Sequence, residues 1–278
     1  MNPFTRTSAP RAGLILACAA AAGLLLGACS NGSGSGSSGG SSGSGTGATG
    51  SGASSTKSST SGSSSTGSGN SGSGSTTTVA SGSVPFPVAV GNTWVYDSDT
   101  ITLNGTVTNK VVAAKPVSGG TQVTMSNHDS FVSTTTDSTY IFHPDGSISY
   151  PFSQLQSDAT IIRGGISLPS AAVIDSGRST TSTVVVEIHP ATGSAQRVTA
   201  HVTVKGDGTA TVTVPAGTYT ATVVSMTEKF TVDGYHATIV VKSWMANGVG
   251  PVQSEAELTE LGHSQLVSEL KLKSFTKG

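Results

Sequence analysis

The sequence is poor in the residues that usually carry out chemistry. Only two cysteines occur in 278 residues, and Cys18 lies inside an apolar N-terminal stretch. Once that stretch is set aside, no intramolecular disulfide can form and no cysteine-based zinc site can be built. The six histidines, at 128, 143, 189, 201, 236 and 263, show no close ligand spacing, so neither a metal nor a cofactor is expected. Walker and Rossmann patterns are missing. Charged residues make up 10% of the chain and none form a basic run, which argues against a phosphate-backbone binder; no nucleic acid is expected as a partner. Aromatics are only 5%, with two tryptophans.

What remains falls into three parts: 1–28, 29–83 and 84–278. In the first, Arg6 and Arg11 precede an uncharged, Ala- and Leu-rich run from Ala12 to Ala28, closed by Leu26-Gly27-Ala28-Cys29. As a helix this run would span about 26 Å, short of a hydrocarbon core of about 30 Å. Charged start, apolar middle and small residues at the end form an export signal. The closing tetrapeptide resembles the lipobox of bacterial lipoproteins. That resemblance implies that the Cys29 sulfur carries a diacylglycerol and becomes the first mature residue, holding the chain to a membrane through acyl chains. It would also account for the single cysteine left after export. An ordinary secretion signal followed by a chance cysteine, or an uncleaved anchor, are the alternatives.

The second part is a tether. Of the 53 residues in 31–83, 16 are Gly, 22 Ser and 8 Thr. Such a stretch buries too little apolar surface to offset the entropy of ordering it. As a flexible coil, 55 residues span roughly 40 Å root-mean-square. Gly39-Gly40-Ser41-Ser42-Gly43 matches a nucleophile-elbow pattern, but that pattern has meaning only on a strand-to-helix turn, and a Gly/Ser string produces it by chance. Asn31-Gly32-Ser33 and Asn104-Gly105-Thr106 match the N-glycan acceptor pattern, which a bacterial export signal makes uninformative.

The third part builds strands. Residues 84–278 contain 29 Thr and 27 Val, types that favour extended backbone. Setting aside Arg6, Arg11 and Lys57 leaves 11 basic against 15 acidic residues, a net of −4. Val184, Val186 and Ile188 share one parity, as do Val198, Ala200, Val202 and Val204, and then Ala210, Val212 and Val214. With turns at 190–193 and 206–208 this predicts a three-strand antiparallel meander. From Tyr219 to Val232 the apolar parity changes near Val223-Val224, which predicts a bulge or bend. Asp233-Gly234 is a turn, and Tyr235 to Trp244 runs back. Earlier candidates are 94–96, 101–103, 110–117, 121–126, 139–142 and 147–150, with Asp145-Gly146 as a hairpin turn. Segments 153–162 and 254–261 are the expected short helices, and Gln265 to Phe275 closes the domain. About eleven strands are expected.

A sheet with so little helix must curl or stack to bury its apolar face. The expected class is therefore mainly β: a curved antiparallel sheet forming a half-barrel or open barrel, with a β-sandwich as the alternative. The segments Phe86-Pro87-Val88-Ala89-Val90-Gly91-Asn92-Thr93-Trp94-Val95-Tyr96, Val214-Pro215-Ala216-Gly217-Thr218-Tyr219 and Trp244-Met245-Ala246-Asn247-Gly248-Val249-Gly250-Pro251-Val252 resemble a group of exported bacterial proteins. The group includes proteins likened to the virulence-associated TapB. It implies a curved sheet similar to the LolA-type lipoprotein carriers. Met245 and Gln253 depart from the commonest form, in which an aromatic and a basic residue stand at those places. Trp94, Tyr96, Tyr219, Tyr235 and Trp244 are the candidate groove or core aromatics, with Trp94 and Trp244 read as core. Gly217, Gly248 and Gly250 are expected to permit turns.

Asp97-x-Asp99 lacks the rest of a calcium loop, and His128-Asp129 would point to opposite faces of a strand. The expected function is noncatalytic: a membrane-anchored exported lipoprotein of the cell envelope or periplasm, acting as a protein-interaction or envelope-assembly module. Its partners would be the membrane, through Cys29, and an envelope protein or lipid. A carrier holding a lipid or hydrophobic ligand in a concave groove is the first alternative, and an uncharacterised enzyme the second. The oligomeric state is not legible.

Overall fold

The computed structural model describes residues 86–101, 103–131, 134–150, 154–156, 159–189, 194–232 and 235–278. Cys29, the lipobox-like Leu26–Cys29 and the expected tether lie outside the described residues, as do the expected turns at 190–193 and 233–234. The strands are β1 (Thr93–Thr100), β2 (Asn104–Val117), β3 (Gly120–Asp129), β4 (Thr134–Phe142), β5 (Ile148–Tyr150), β6 (Gln154–Gln156), β7 (Ala159–Arg163) and β8 (Ile166–Leu168). After one helix, α1 (Ala171–Asp175), come β9 (Ser179–Ile188), β10 (Gln196–Val214), β11 (Gly217–Val232), β12 (Tyr235–Ala246), β13 (Gly250–Glu260) and β14 (His263–Thr276).

All fourteen strands join one sheet, in the order β6-β7-β9-β10-β11-β12-β13-β14-β1-β2-β3-β4-β5-β8. Every pairing is antiparallel, the first strand lying against the last. This is the open half-barrel expected, rather than a sandwich of two separate sheets. Curvature is written in one hydrogen bond: the Ala216 amide, in the β10–β11 turn, donates to the Leu272 carbonyl of β14 at 2.9 Å. Two strands, β12 and β13, separate those elements in the ladder, so the sheet must curl for them to meet.

Alternation places the core. Val198, Val202 and Val204 on β10, Met226 and Phe230 on β11, and Ile239 and Val241 on β12 are all buried. Trp94, Tyr96, Val107, Val111 and Val123 continue the same apolar cluster across β1, β2 and β3.

Several expectations need correction. Residues 206–208 do not turn the chain: β10 runs straight through them with a bulge between Gly206 and Thr209. The parity change near Val223-Val224 is real, but the extra residue sits on β10, opposite β11. Gly206 is needed there because a Cβ would collide with the Ile174 carbonyl of α1. The expected helix at 254–261 lies in β13 for all but its last residue. Within it the buried residues, Ser254, Ala256 and Leu258, alternate, yet Ser254 and Ala256 are too weakly apolar for the period to show. Pairing on both sides, to β12 and β14, overrides the helical preference of its Glu, Ala and Leu residues. The described part of 153–162 is also extended, as β6 and the start of β7. Ile101 and Leu103 lie between β1 and β2 rather than in a strand, and α1 has no counterpart among the expected elements.

Candidate functional site

Antiparallel order gives the sheet two unlike ends. The first end holds the entry of the described chain, the β10–β11 and β12–β13 turns, and the C-terminus. Trp94 is wholly buried there, and its indole Nε1–H donates to the Val249 carbonyl at 2.6 Å. Tyr96, also buried, donates its hydroxyl to the Pro251 carbonyl at 3.0 Å, and burial pushes its pKa upward. Side chains of β1 thus reach past β14 to tie down the start of β13. Aromatic rings extend the closure: Trp94 stacks on Phe275 at 5.1 Å, Phe86 lies 5.1 Å from Trp94 and 5.4 Å from Phe142, and Tyr140 meets Tyr150 at 5.5 Å. Gly250, at φ 93°, is required because a Cβ would stand 2.7 Å from the Phe86 ring. The C-terminal Gly278 amide donates to Asn92 Oδ1 at 2.9 Å.

The other candidates divide. Gly217 and Gly248 adopt φ of 136° and 72°; Gly217 opens β11 directly after the β10–β11 turn, and Gly248 lies in the β12–β13 turn. Tyr219 is half-buried, with its hydroxyl on the Ala216 carbonyl at 3.3 Å. Trp244 is not fully in the core: it is half-buried, with Lys242 Nζ 5.9 Å from its ring centroid. Tyr235 opens β12, and its side chain lies outside the described residues. Trp94, Tyr96, Tyr219, Trp244 and the three glycines form scaffold at this end, whereas Tyr235 opens β12 at the other.

The far end carries the β1–β2 and β13–β14 tips. Ile101 and Leu103 are exposed on the first, and Leu261 on the second. Leu261 has φ 52° and Gly262 φ 80°, a two-residue hairpin of the kind that favours Asn-Gly. A leucine in the left-handed region costs about 1–2 kcal/mol, and at 73% exposure it recovers little by burial. The β1–β14 ladder ends at Thr100–Ser268, so His263–Val267 of β14 project about 16 Å beyond it. Leu266, on that overhang, is also exposed. The overhang has no lysine or proline, the usual protections of an open strand edge. Asp99, Glu257 and Glu260 lie close by in sequence and register, giving an acidic rim.

A third feature lies inside. Glu228 on β11 is 2% exposed, and its Oε1 has no hydrogen-bond partner among the described residues. Val202 and Ile239 stand opposite it on β10 and β12, and Met226 and Phe230 flank it on the same face. Burial pushes its carboxyl up to about 8, so the group is a neutral acid at pH 7. A polar residue at an apolar parity position, among Val224, Met226 and Phe230, was its signal in the sequence.

Elsewhere, polar side chains pair locally. His128 meets Thr135 at 3.2 Å while the neighbouring Asp129 is buried and accepts from the Phe131 amide at 2.8 Å, on opposite faces as expected. Asp97 accepts from Lys273 Nζ at 3.1 Å. Buried Asn127 donates to Asn109 Oδ1 at 2.6 Å. Among the described residues no group of three His, Cys, Asp or Glu side chains is placed to hold a metal, and no helix is long and apolar enough to cross a membrane.

Fold and site define a class first: a single open antiparallel sheet of the half-barrel kind, closed by aromatics at one end and apolar at its projecting tips. Residues 96–258 match the DUF3108-like family model, and the chain belongs to the DUF3108-like family. Two solved structures resemble it. One is a Parabacteroides distasonis protein named as a lipoprotein, at 17% identity and TM-score 0.50, covering 69% of this chain and 97% of that one. The other is a Bacteroides fragilis protein named as exported with a YmcC-like fold, at 19% identity and TM-score 0.48, covering 69% and 98%. No curated protein matches.

Proposed function

We propose that this chain is a noncatalytic exported lipoprotein, anchored through Cys29 and presenting the far end of its half-barrel to an envelope protein. The observation that carries this is Leu261: an exposed leucine held in left-handed backbone at a projecting tip, where asparagine would be cheaper. Ile101, Leu103 and Leu266 extend the apolar surface, and the acidic rim favours a partner with basic residues around an apolar centre. The described chain begins at Phe86, at the opposite end of the sheet from these tips. The lipoprotein name of the Parabacteroides neighbour agrees with the anchor. A photo-reactive side chain at position 266 should yield a defined protein adduct in cells. That adduct should vanish in the combined Leu103→Ser, Leu261→Asn variant while the domain stays folded; an adduct indifferent to those changes would remove the proposal. Loss of acylation in Cys29→Ala tests the anchor separately.

A second reading, carriage of a hydrophobic ligand like the LolA-type carriers, is favoured by Glu228 alone. Mass spectrometry of lipid extracted from the natively purified protein tests it.

A further inference from the structure

The sheet's two terminal strands, β6 and β8, have three residues each, and short edge strands are one way a protein blunts an open edge. The overhang of β14 is not blunted. His263 to Leu266 are exposed and Val267 is half-buried. On its β13 side the overhang is paired throughout: Glu260 with His263, Thr259 with Ser264, Leu258 with Gln265 and Glu257 with Leu266. The two-residue turn Leu261-Gly262 makes Glu260 and His263 the pair that exchanges both backbone bonds. Alternation then turns the N–H and C=O groups of Ser264 and Leu266 outward, away from β13. The 2.7 Å contact of Thr259 Oγ1 with Ser264 Oγ agrees, since side chains lie closer in a non-hydrogen-bonded pair. Among the described residues the β1–β14 ladder stops short of these outward groups, and no turn or loop bond reaches them.

The charge on the Leu266 face selects what fits that edge. Glu257 stands opposite Leu266, and Glu255 and Asp99 stand on either side of Glu269. Lys271 is held by Glu269 at 2.8 Å, Lys273 by Asp97 at 3.1 Å, and Lys242 lies opposite Glu255. Glu257 and Asp99 are exposed and make no ion pair among the described residues. A second copy fits poorly, because antiparallel pairing of two overhangs would bring two such acidic faces together.

We propose that Ser264 to Leu266 receive an extended segment of the envelope partner as an added β-strand in line with β1, carrying basic side chains on the Leu266 face. This rests on the protein-partner reading and names how that partner binds. The added backbone satisfies the outward groups of Ser264 and Leu266. A lysine or arginine stem covers Leu266 while its charged head reaches towards Glu257.

The test is amide hydrogen exchange of the full chain in dodecyl maltoside, read residue by residue, with a synthetic heptapeptide of alternating Lys and Val as probe. In the free protein the Ser264 and Leu266 amides should exchange fast and the Gln265 amide slowly. The peptide should protect Ser264 and Leu266. Methylating the backbone nitrogens of its lysines, or replacing those lysines with glutamate, should each weaken binding about tenfold or more. Ser264→Pro removes one outward N–H and leaves the β13 pairing intact, so Leu266 should lose its protection; Ser264→Thr should behave as wild type. The methylated peptide asks the same question without altering the protein. No protection by the basic peptide, or equal protection by its methylated form, would overturn strand addition, and the adduct at position 266 would still decide the protein-partner reading. Protection that grows with protein concentration in the absence of peptide would assign the edge to a second copy and overturn the proposal. Absence of both peptide protection and adduct would overturn both.

Discussion

The two ends of the sheet spend their apolar residues in opposite ways. At the entry end, Phe86, Trp94, Phe142 and Phe275 pack ring against ring, and Trp94 and Tyr96 hydrogen-bond across β14 to the β13 side. At the far end, Ile101, Leu103, Leu261 and Leu266 stand in solvent. Closure of a curled sheet needs only one end to be tied, because strands paired along their length carry the restraint forward. The difference teaches that the first end holds the fold, while the apolar residues of the second contribute little to it.

The largest break in that contrast should come from Trp94→Ala. It removes a wholly buried indole and its bond to Val249, and about 3–5 kcal/mol of unfolding free energy should be lost in a denaturant titration. A loss below about 1 kcal/mol would mean that the aromatic closure does not hold the curl. Next in size is the pH response of Glu228. Its folded pKa is raised from 4.5 to about 8, so the folded state binds the extra proton between those values. The stability it confers is complete below pH 4.5 and is lost progressively as pH rises to about 8, amounting to a few kcal/mol. Thermal melts of the wild type should fall over that window more than those of Glu228→Gln; parallel curves would show that the carboxyl finds a partner in solution.

Gly250→Ala should cost about 1–3 kcal/mol, from positive φ and the collision with Phe86. Gly248→Ala, with open space around its Cβ position, should cost less, and the gap between the two melts isolates the Phe86 contact. The smallest effect has the opposite sign. Leu261→Asn should raise stability by up to about 1 kcal/mol, because asparagine tolerates left-handed backbone. If that stabilised variant, combined with Leu103→Ser, still forms the adduct proposed for position 266, the far end is not the contact surface.

Strand content, the single parity of β9 and most of β10, the turn at Gly217 and the bend near Val224 were all legible, because period-2 alternation and glycine leave direct marks. The strand β13, expected as a helix over 254–261, was not, because Ser254 and Ala256 blur the alternation that pairing on both sides imposes. Gly206-Asp207-Gly208 reads equally as a turn or as a bulge. Only the position of α1 over Gly206 and the continued pairing to β11 decide for the bulge. Trp94 and Trp244 look alike in sequence, yet one is wholly buried and the other shares its ring with Lys242.

By itself, then, the sequence determined that the described strands fall within the Val- and Thr-rich residues 84–278, since composition fixes which stretch can repay the entropy of folding. It also determined the mainly β character of that domain. Tertiary structure alone decided which apolar residues became core and which became tips, and left Glu228 Oε1 without a partner among the described residues. The physical reason is that burial and hydrogen-bond satisfaction depend on what lies across the curl, and strands that meet there, such as β10 and β14, are far apart along the chain.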